Sequence, residues 1–142
     1  MRRVTESLSW NNRSQEPWNH NLHHHRVIVK VIPQDCRGAL DVGCWQGGLT
    51  RELRRFVPGV TGIGRDERSI ALARAHRDAA DIRYVRGDFL GAPLTPGSFD
   101  LVTSVASLRH MDADAALRRV AELLRPGGTL VATAAGCTGG TR

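Results

Sequence analysis

The stretch LDVGCWQGG at residues 40–48 decides the fold of this chain. Its first part completes ALDVGC, residues 39–44, a short apolar run ending in glycine that is typical of a buried strand. Residues 48–56 then place apolar side chains at helical spacing. A glycine-rich turn between strand and helix lets the backbone approach a ligand closely, and the helix N-terminus offers free N–H groups to an anionic group. The sequence therefore predicts a ligand site at this turn.

Strands and helices alternate on both sides of this stretch. Further strands are predicted at Val60–Ile63, Ile82–Val85, Phe99–Val105 and Thr129–Ala135. Helices are predicted at Leu22–Ile32, at Glu67–Arg77 after an Asp66 cap, and from an Asp112 cap to Leu124, with an apolar stripe of Leu117, Val120, Leu123 and Leu124. This alternation predicts an α/β fold, with a doubly wound, mainly parallel sheet and helices on both faces.

The chain divides into three parts by composition. Residues 1–17 are polar and show no periodicity, so we expect a flexible N-terminal arm. Residues 18–135 hold the alternating strands and helices and form one domain. Residues 136–142 are rich in glycine, and we expect an irregular tail there.

Composition narrows the classes of function. The sequence contains no run of 18 apolar residues, the length needed to span a membrane. We also expect no secretory signal, because no apolar segment follows the basic residues at positions 2 and 3. The net charge of +6 comes almost wholly from arginine, but the arginines alternate with apolar residues on several predicted helices, as at Arg54 and Arg119. That spacing is typical of solvated faces, so we do not expect nucleic acid as a partner. Three cysteines without CxxC spacing argue against disulfides and zinc, and favour the cytoplasm.

Five motifs in order carry a family resemblance: LDVGC at 40–44, VTGI at 60–63, GD at 87–88, FDLV at 99–102 and LLRPGGTL at 123–130. With these, the chain resembles the class I S-adenosylmethionine-dependent methyltransferases from about residue 18 to residue 135. The segment 18–21 and the histidines after it resemble the opening of a bacterial subgroup that acts on small molecules. The resemblance implies a Rossmann-like fold, S-adenosylmethionine as cofactor and a small-molecule methyl acceptor.

The resemblance also assigns residues to the cofactor. Asp41, Gly43, Cys44 and Gly47 would lie at its methionine end, Asp66 at the ribose, Asp88 and Phe89 at the adenine, and Ser104 near the sulfonium. His110 is the candidate general base, and Arg109 beside it could hold an acidic substrate. No metal site is expected. Four histidines at 20, 23, 24 and 25 invite one, but no acid or cysteine supports them.

The sequence departs from the family pattern at three points. Trp45 stands where a second glycine is usual, and if that position needs a positive φ the cost is about 1 kcal/mol. Gly64 stands where an acid holds the ribose hydroxyls, leaving Asp66 as substitute. The family's sheet continues with two more strands, so we expect a truncated sheet whose fifth strand is an open edge.

Three alternatives to an active methyltransferase remain. One is a dinucleotide-binding oxidoreductase, although Gly43, Trp45 and Gly48 do not spell GxGxxG. The second is a non-catalytic or weakly cofactor-binding remnant of the same fold. The third is an arginine-rich nucleic-acid-binding domain, which steep salt dependence of binding would reveal. The acceptor and the oligomeric state stay open.

Overall fold

All the strands in the described part of the chain lie in one parallel sheet. The computed structural model describes residues 3–7, 25–105 and 107–133. The strands run in the order β1-β6-β5-β2-β3-β4, and every neighbouring pair is parallel. Their bounds are β1 Arg3–Ser7, β2 Gly38–Val42, β3 Gly59–Gly64, β4 Ile82–Arg86, β5 Phe99–Val105 and β6 Leu124–Thr133. The predicted α/β, Rossmann-like, doubly wound sheet is confirmed.

The helices follow the strands as predicted. They are α1, helical at 25–30, α2 Gly48–Arg54, α3 Glu67–Ala75 and α4 Ala113–Leu123, with a 3₁₀ turn at Leu108–His110. Both predicted caps are confirmed: Asp66 accepts from the Ser69 N–H at 2.9 Å, and Asp112 accepts from two N–H groups of the first turn of α4. None of the helices in the described ranges has the length and apolarity needed to cross a membrane.

Helices cover both faces of the sheet, because alternate strand residues point to opposite sides. Leu101 of β5 packs in one core with Leu49 and Leu53 of α2. Its neighbour Val102 packs in the other core with residues of α4, including Leu123. The same core contains Phe89 and Leu94 from the segment between β4 and β5, and this segment covers the sheet next to α4.

The expectation of a loose arm over residues 1–17 is wrong for residues 3–7. These residues form β1, which pairs in parallel with β6 in the register Val4 to Leu130. The fifth predicted strand is therefore not an open edge, and the prediction of an exposed edge there is wrong as well. Pairing over such a sequence separation leaves no local signal, since RVTES lacks an apolar run. The rest of the predicted arm, and the predicted tail, lie outside the described residues.

Two details around α4 also differ from the prediction. Leu117 is 49% exposed, and Ala116 takes its place in the core at 1% exposed. The last strand begins at Leu124 rather than Thr129, because Leu124 already pairs with Phe99 before the register shifts between Phe99 and Leu101. The segment RPGG thus lies within an irregular start of β6 and is not a separate loop.

Candidate functional site

The turn after β2 is held in a conformation that requires glycine. Gly43 has φ +77°, in the left-handed region, and its N–H donates to the Ile63 carbonyl at 2.8 Å. A Cβ at this position would lie 2.5 Å from the Ser107 Cβ. Gly47, with φ +90°, is held in the same region and is the N-cap of α2. The turn is thus packed tightly against Ser107, in the segment after β5.

Ser107 ties that turn to the segment after β5. Its hydroxyl donates to the Val42 carbonyl at 2.8 Å and lies 2.6 Å from the Ser104 hydroxyl. Since Val42 ends β2 and Ser104 lies within β5, the ends of two neighbouring strands are fixed to each other. Any ligand at the turn would meet a preformed surface.

A cavity of about 300 Å³ opens at the carboxyl ends of β2 to β5. This is the place where doubly wound sheets bind their ligands, and the volume lies at the lower end of small-molecule sites. Its lining is mostly apolar, from Val42, Ile63, Ile70, Phe89, Val105 and Met111. Its polar lining residues are Arg65, Asp66, Ser69, Asp88, Ser107 and His110. The remaining lining residues are Gly43, Trp45, Gly64 and Gly87.

Asp41 lies beneath the turn as a buried carboxylate. It is 2% exposed, and its two oxygens accept from the hydroxyls of Thr50 at 2.8 Å and Thr103 at 3.1 Å. Burial raises the pKa of Asp41 to about 6, although these hydrogen bonds oppose the shift. The side chain therefore joins β2 to α2 and to β5 and helps to fix the position of the turn.

The segment after β4 is held by an arginine of α4. The Arg119 Nε donates to the Phe89 carbonyl at 3.1 Å, and another nitrogen of its guanidinium donates to the Ala92 carbonyl. Arg119 is only 14% exposed, so the expectation that it belongs to a solvated face is wrong. Asp88, next to Phe89, closes a local turn by accepting from the Leu90 N–H at 3.1 Å. The guanidinium thus fixes the far wall of the cavity.

Comparison with known proteins identifies this architecture. The family model described as a methyltransferase domain matches residues 40–132, which is more than half of the chain. The chain belongs to the class I S-adenosylmethionine-dependent methyltransferase family. The crystal structure of an S-adenosylmethionine-dependent methyltransferase from Mesorhizobium loti is similar, with a TM-score of 0.67 and 30% identity, over 75% of this chain and 51% of that one.

Relatives of this methyltransferase chain share its central part. A methyltransferase of Mycobacterium tuberculosis is 37% identical over 116 residues, which cover 81% of this chain and 59% of that protein. A ubiquinone biosynthesis O-methyltransferase of Pseudomonas paraeruginosa is 35% identical over 94 residues, 63% of this chain and 40% of that protein. The chain thus spans little more than half the length of the first of these relatives.

Five of the nine predicted site residues of this methyltransferase chain line the cavity. They are Gly43, Asp66, Asp88, Phe89 and His110. They come from four separate segments that follow β2, β3, β4 and β5. The topology of the sheet brings these five residues to one cavity, and their roles at the cofactor stay predictions.

The other four predicted residues lie behind the lining. The oxygens of Asp41 and the hydroxyl of Ser104 are occupied by neighbouring hydroxyl groups. Cys44 is 4% exposed in a core with Ile70, and burial raises the pKa of its thiol to about 12. Gly47 faces the Tyr84 hydroxyl, which would lie 2.4 Å from a Cβ at that position. These four lie behind the residues that line the cavity, and their roles at the cofactor stay predictions.

The two departures from the family pattern both lie in the cavity wall. Trp45 has φ +51°, so the position does demand the left-handed region, and its side chain is 68% exposed at the rim. Gly64 ends β3 and offers no carboxylate there. Asp66, two residues later, is exposed, and hydrogen bonds from Ser69 hold its pKa below the usual value. One of its oxygens caps α3, which leaves the other for a ligand.

Two residues of the site were not singled out from the sequence. Ser104 was expected near the sulfonium, and nothing in the sequence pointed to Ser107 three residues later. Arg119 was grouped with its exposed neighbour Arg118. Both act through contacts over long sequence separations, 65 residues from Ser107 to Val42 and 30 from Arg119 to Phe89.

No metal centre stands out in the described ranges. There, no three side chains of His, Cys, Asp or Glu come together as metal ligands would. Of the predicted histidine cluster only His25 lies within these ranges, half-buried against α2, and burial lowers its pKa. The other three histidines and the Arg109 side chain lie outside the described part.

Proposed function

We propose that this chain binds S-adenosylmethionine in the cavity at the carboxyl ends of β2 to β5 and transfers its methyl group to a small-molecule acceptor. The position of Gly43 carries the proposal: it holds φ +77° at the turn after β2 and lines a cavity of about 300 Å³ at the carboxyl ends of the strands. The residues present thus fit a ligand that passes close to the backbone, as the cofactor does in this family.

The lining separates into ends that suit the parts of the cofactor. Phe89, Ile63 and Ile70 offer an apolar slot for adenine, and the exposed Asp88 carboxylate can accept from its amino group. Asp66 can accept from a ribose hydroxyl with the oxygen that does not cap α3. The turn at Gly43 would hold the methionine part.

Bound S-adenosylmethionine supplies a methyl group on a sulfonium, an electrophile that needs no further activation. The contribution of the protein is then alignment of the acceptor atom with that methyl group and exclusion of water. A general base is needed only for an acceptor that is protonated at working pH. His110 lies exposed at the cavity and can take that proton.

A small organic acceptor is compatible with the mostly apolar lining around the cavity. The name of the ubiquinone biosynthesis O-methyltransferase relative points the same way. We extend the proposal to a cytoplasmic location, which the free, buried thiols of Cys36 and Cys44 support.

Thermal unfolding with added ligands tests the proposal. S-adenosylmethionine and its demethylated product at 100 times their dissociation constants should each stabilise the protein by about 2.7 kcal/mol, because both bind the folded state only. NAD at the same concentration should give no shift. Stabilisation by NAD alone would overturn the proposal in favour of a dinucleotide-binding oxidoreductase.

A weakly binding remnant of the fold is the second candidate. The observations that favour it are the left-handed Trp45 and the glycine at position 64. Losing a charge-assisted hydrogen bond to the ribose costs about 1.5–3 kcal/mol, or tenfold to a hundredfold in affinity. If the remnant is correct, neither ligand stabilises the natural chain, and restoring the acid at position 64 restores the shift.

A further inference from the structure

A second concave surface lies away from the cofactor cavity, between α1, α2 and the end of α3. This groove has a volume of about 1080 Å³. Six of its lining residues are basic: Arg26, Lys30, Arg51, Arg54, Arg55 and Arg77. Two are acidic, Glu52 and Asp78. The sequence suggested separate solvated faces for these arginines, and the fold brings them to one place.

The net positive charge of residues 25–133 equals the net charge of this groove. Residues 25–133 hold sixteen Lys and Arg against twelve Asp and Glu. Six of these basic residues and two of these acidic residues line the groove, so ten basic and ten acidic residues lie outside it. The residues of this range outside the groove therefore carry no net charge, and the groove carries a net charge of +4 that would attract an anionic ligand.

Most of the groove's cations have no acidic partner of their own. Arg55 pairs with Glu52 at 3.0 Å and Arg54 with Asp81 at 3.5 Å. Arg26, Lys30 and Arg77 form no ion pair with any residue that the structure describes, and all three are exposed.

The groove also presents an aromatic ring. Phe56 lines it and is 54% exposed, and the Arg55 guanidinium lies 5.9 Å from the ring centroid. An exposed ring in a groove that also carries unpaired cations is the combination by which proteins stack unpaired bases while holding the phosphate backbone. A flat membrane surface would not fill a concave groove, and an acidic peptide without aromatic or apolar side chains would leave the ring without a partner.

We propose that this groove binds a single-stranded nucleic acid, with Arg26, Lys30 and Arg77 at phosphates and Phe56 stacked on a base. The proposal does not depend on cofactor binding, because no residue of the groove lines the cofactor cavity.

Fluorescence anisotropy with a labelled twelve-nucleotide RNA of mixed sequence tests the proposal on the full chain. The variant Arg26→Glu/Lys30→Glu/Arg77→Glu should bind at least tenfold more weakly and reduce the slope of log K against log salt by about 2. The matched control Arg68→Glu/Arg83→Glu/Arg118→Glu changes the net charge equally at exposed positions outside the groove. It should bind within threefold of the natural chain. Equal weakening by both variants would overturn the proposal.

Two further measurements separate a single strand from other anions. Phe56→Ala should weaken binding of the RNA about tenfold, whereas Phe56→Trp should keep it, because stacking needs a ring. Duplex DNA, polyglutamate and phosphatidylglycerol vesicles should compete poorly. Equal competition by any of them, or no effect of Phe56→Ala, contradicts the proposal. Thermal unfolding checks each variant, and Arg26→Gln/Lys30→Gln replaces the charge reversal if the triple variant does not fold.

Discussion

The side chain of Ser107 occupies the space that a side chain at Gly43 would need. The Cβ that residue 43 lacks would lie 2.5 Å from the Ser107 Cβ and 2.7 Å from its hydroxyl oxygen. The same hydroxyl donates to the carbonyl of Val42, one residue before the glycine. The turn and the segment after β5 are thus fitted to each other, and the shape of the cofactor cavity depends on both.

Replacing Gly43 with alanine should therefore damage both stability and ligand binding. The φ of +77° costs an alanine about 1–2 kcal/mol, and forcing the Cβ against Ser107 costs a further 1–3 kcal/mol. Gly97→Ala is the control, since Gly97 has φ +66° and no atom within 4 Å of its missing Cβ. Chemical denaturation should show a loss of about 3 kcal/mol for Gly43→Ala and about 1 kcal/mol for the control. Equal losses would mean that the contact with Ser107 carries no cost.

The buried Asp41 should make the stability of the protein fall as pH rises. Its pKa is raised to about 6 in the folded state against 3.8 when unfolded, so the folded state holds the proton more tightly. The stabilisation is complete below pH 3.8 and is lost as pH rises through 6, about 3 kcal/mol in all. In Asp41→Asn the side-chain amide N–H can donate to the hydroxyl oxygen of Thr103. The Thr103 hydroxyl can then donate to the Leu40 carbonyl instead. Chemical denaturation of Asp41→Asn at several pH values between 4 and 7 should show no such fall in the free energy of unfolding.

Asp100 supplies a control of opposite sign. Although burial opposes the shift, the backbone N–H groups of Arg37 and Gly38 and the Arg125 guanidinium hold its pKa below the usual value. Its stabilisation is present above the unfolded pKa and is lost as pH falls, so Asp100→Asn should flatten the acid limb of the profile instead. If Asp41→Asn leaves the fall between pH 4 and 7 unchanged, Asp41 is not its source.

The elements that the sequence predicted well are those with local causes. Phe99–Val105 was predicted to the residue, and Asp66 and Asp112 were found as caps, because cap, strand and turn signals depend on neighbours in the chain. The glycine turn followed from its composition in the same way. The contacts beneath the turn could not be predicted in this way, because the sequence does not reveal that Thr50 and Thr103 donate to Asp41.

The features that the sequence missed all rest on distant partners. β1 is a strand because β6 lies beside it, more than a hundred residues later. Arg119 looks like its neighbour Arg118 in the sequence, and only the carbonyls of Phe89 and Ala92 distinguish the two. Periodicity assigns a residue to a helix face, but it does not tell what that face will meet.

Restoring an acid at position 64 should tighten S-adenosylmethionine binding. The missing Cβ of Gly64 has Ile70 Cδ1 at 3.4 Å and Cys44 Sγ at 3.6 Å, so a small side chain fits with slight movement. A carboxylate there would accept from the ribose hydroxyls and add about 1.5–3 kcal/mol of binding energy. Isothermal titration should give a tenfold to hundredfold lower dissociation constant for Gly64→Asp. Gly64→Asn, of the same shape without charge, should gain much less, and equal gains would rule out the carboxylate as cause.

Removing the indole at position 45 should also tighten cofactor binding. Glycine would relieve about 1 kcal/mol of backbone strain at φ +51° in the folded state. Because glycine also has more conformational freedom in the unfolded chain, which costs a similar amount, the free energy of unfolding should change little. Binding is the informative measurement, because the exposed indole stands at the cavity rim. Trp45→Gly and Trp45→Asn, a residue that tolerates positive φ, should both lower the dissociation constant in isothermal titration. No change in either variant would show that the indole lies clear of the ligand.

Loss of the Arg119 guanidinium should loosen the segment after β4 that lines the cavity. Arg119→Met keeps much of the apolar stem but leaves the Phe89 and Ala92 carbonyls without their donor, at a cost of about 1–3 kcal/mol. Because Asp88 and Phe89 belong to that segment, S-adenosylmethionine affinity should fall together with stability. Arg118→Met, on the same helix but exposed, should change both by less than about 0.5 kcal/mol. Hydrogen exchange at residues 88–92 locates the effect: faster exchange there in Arg119→Met alone supports this role, whereas unchanged exchange with weaker binding contradicts it.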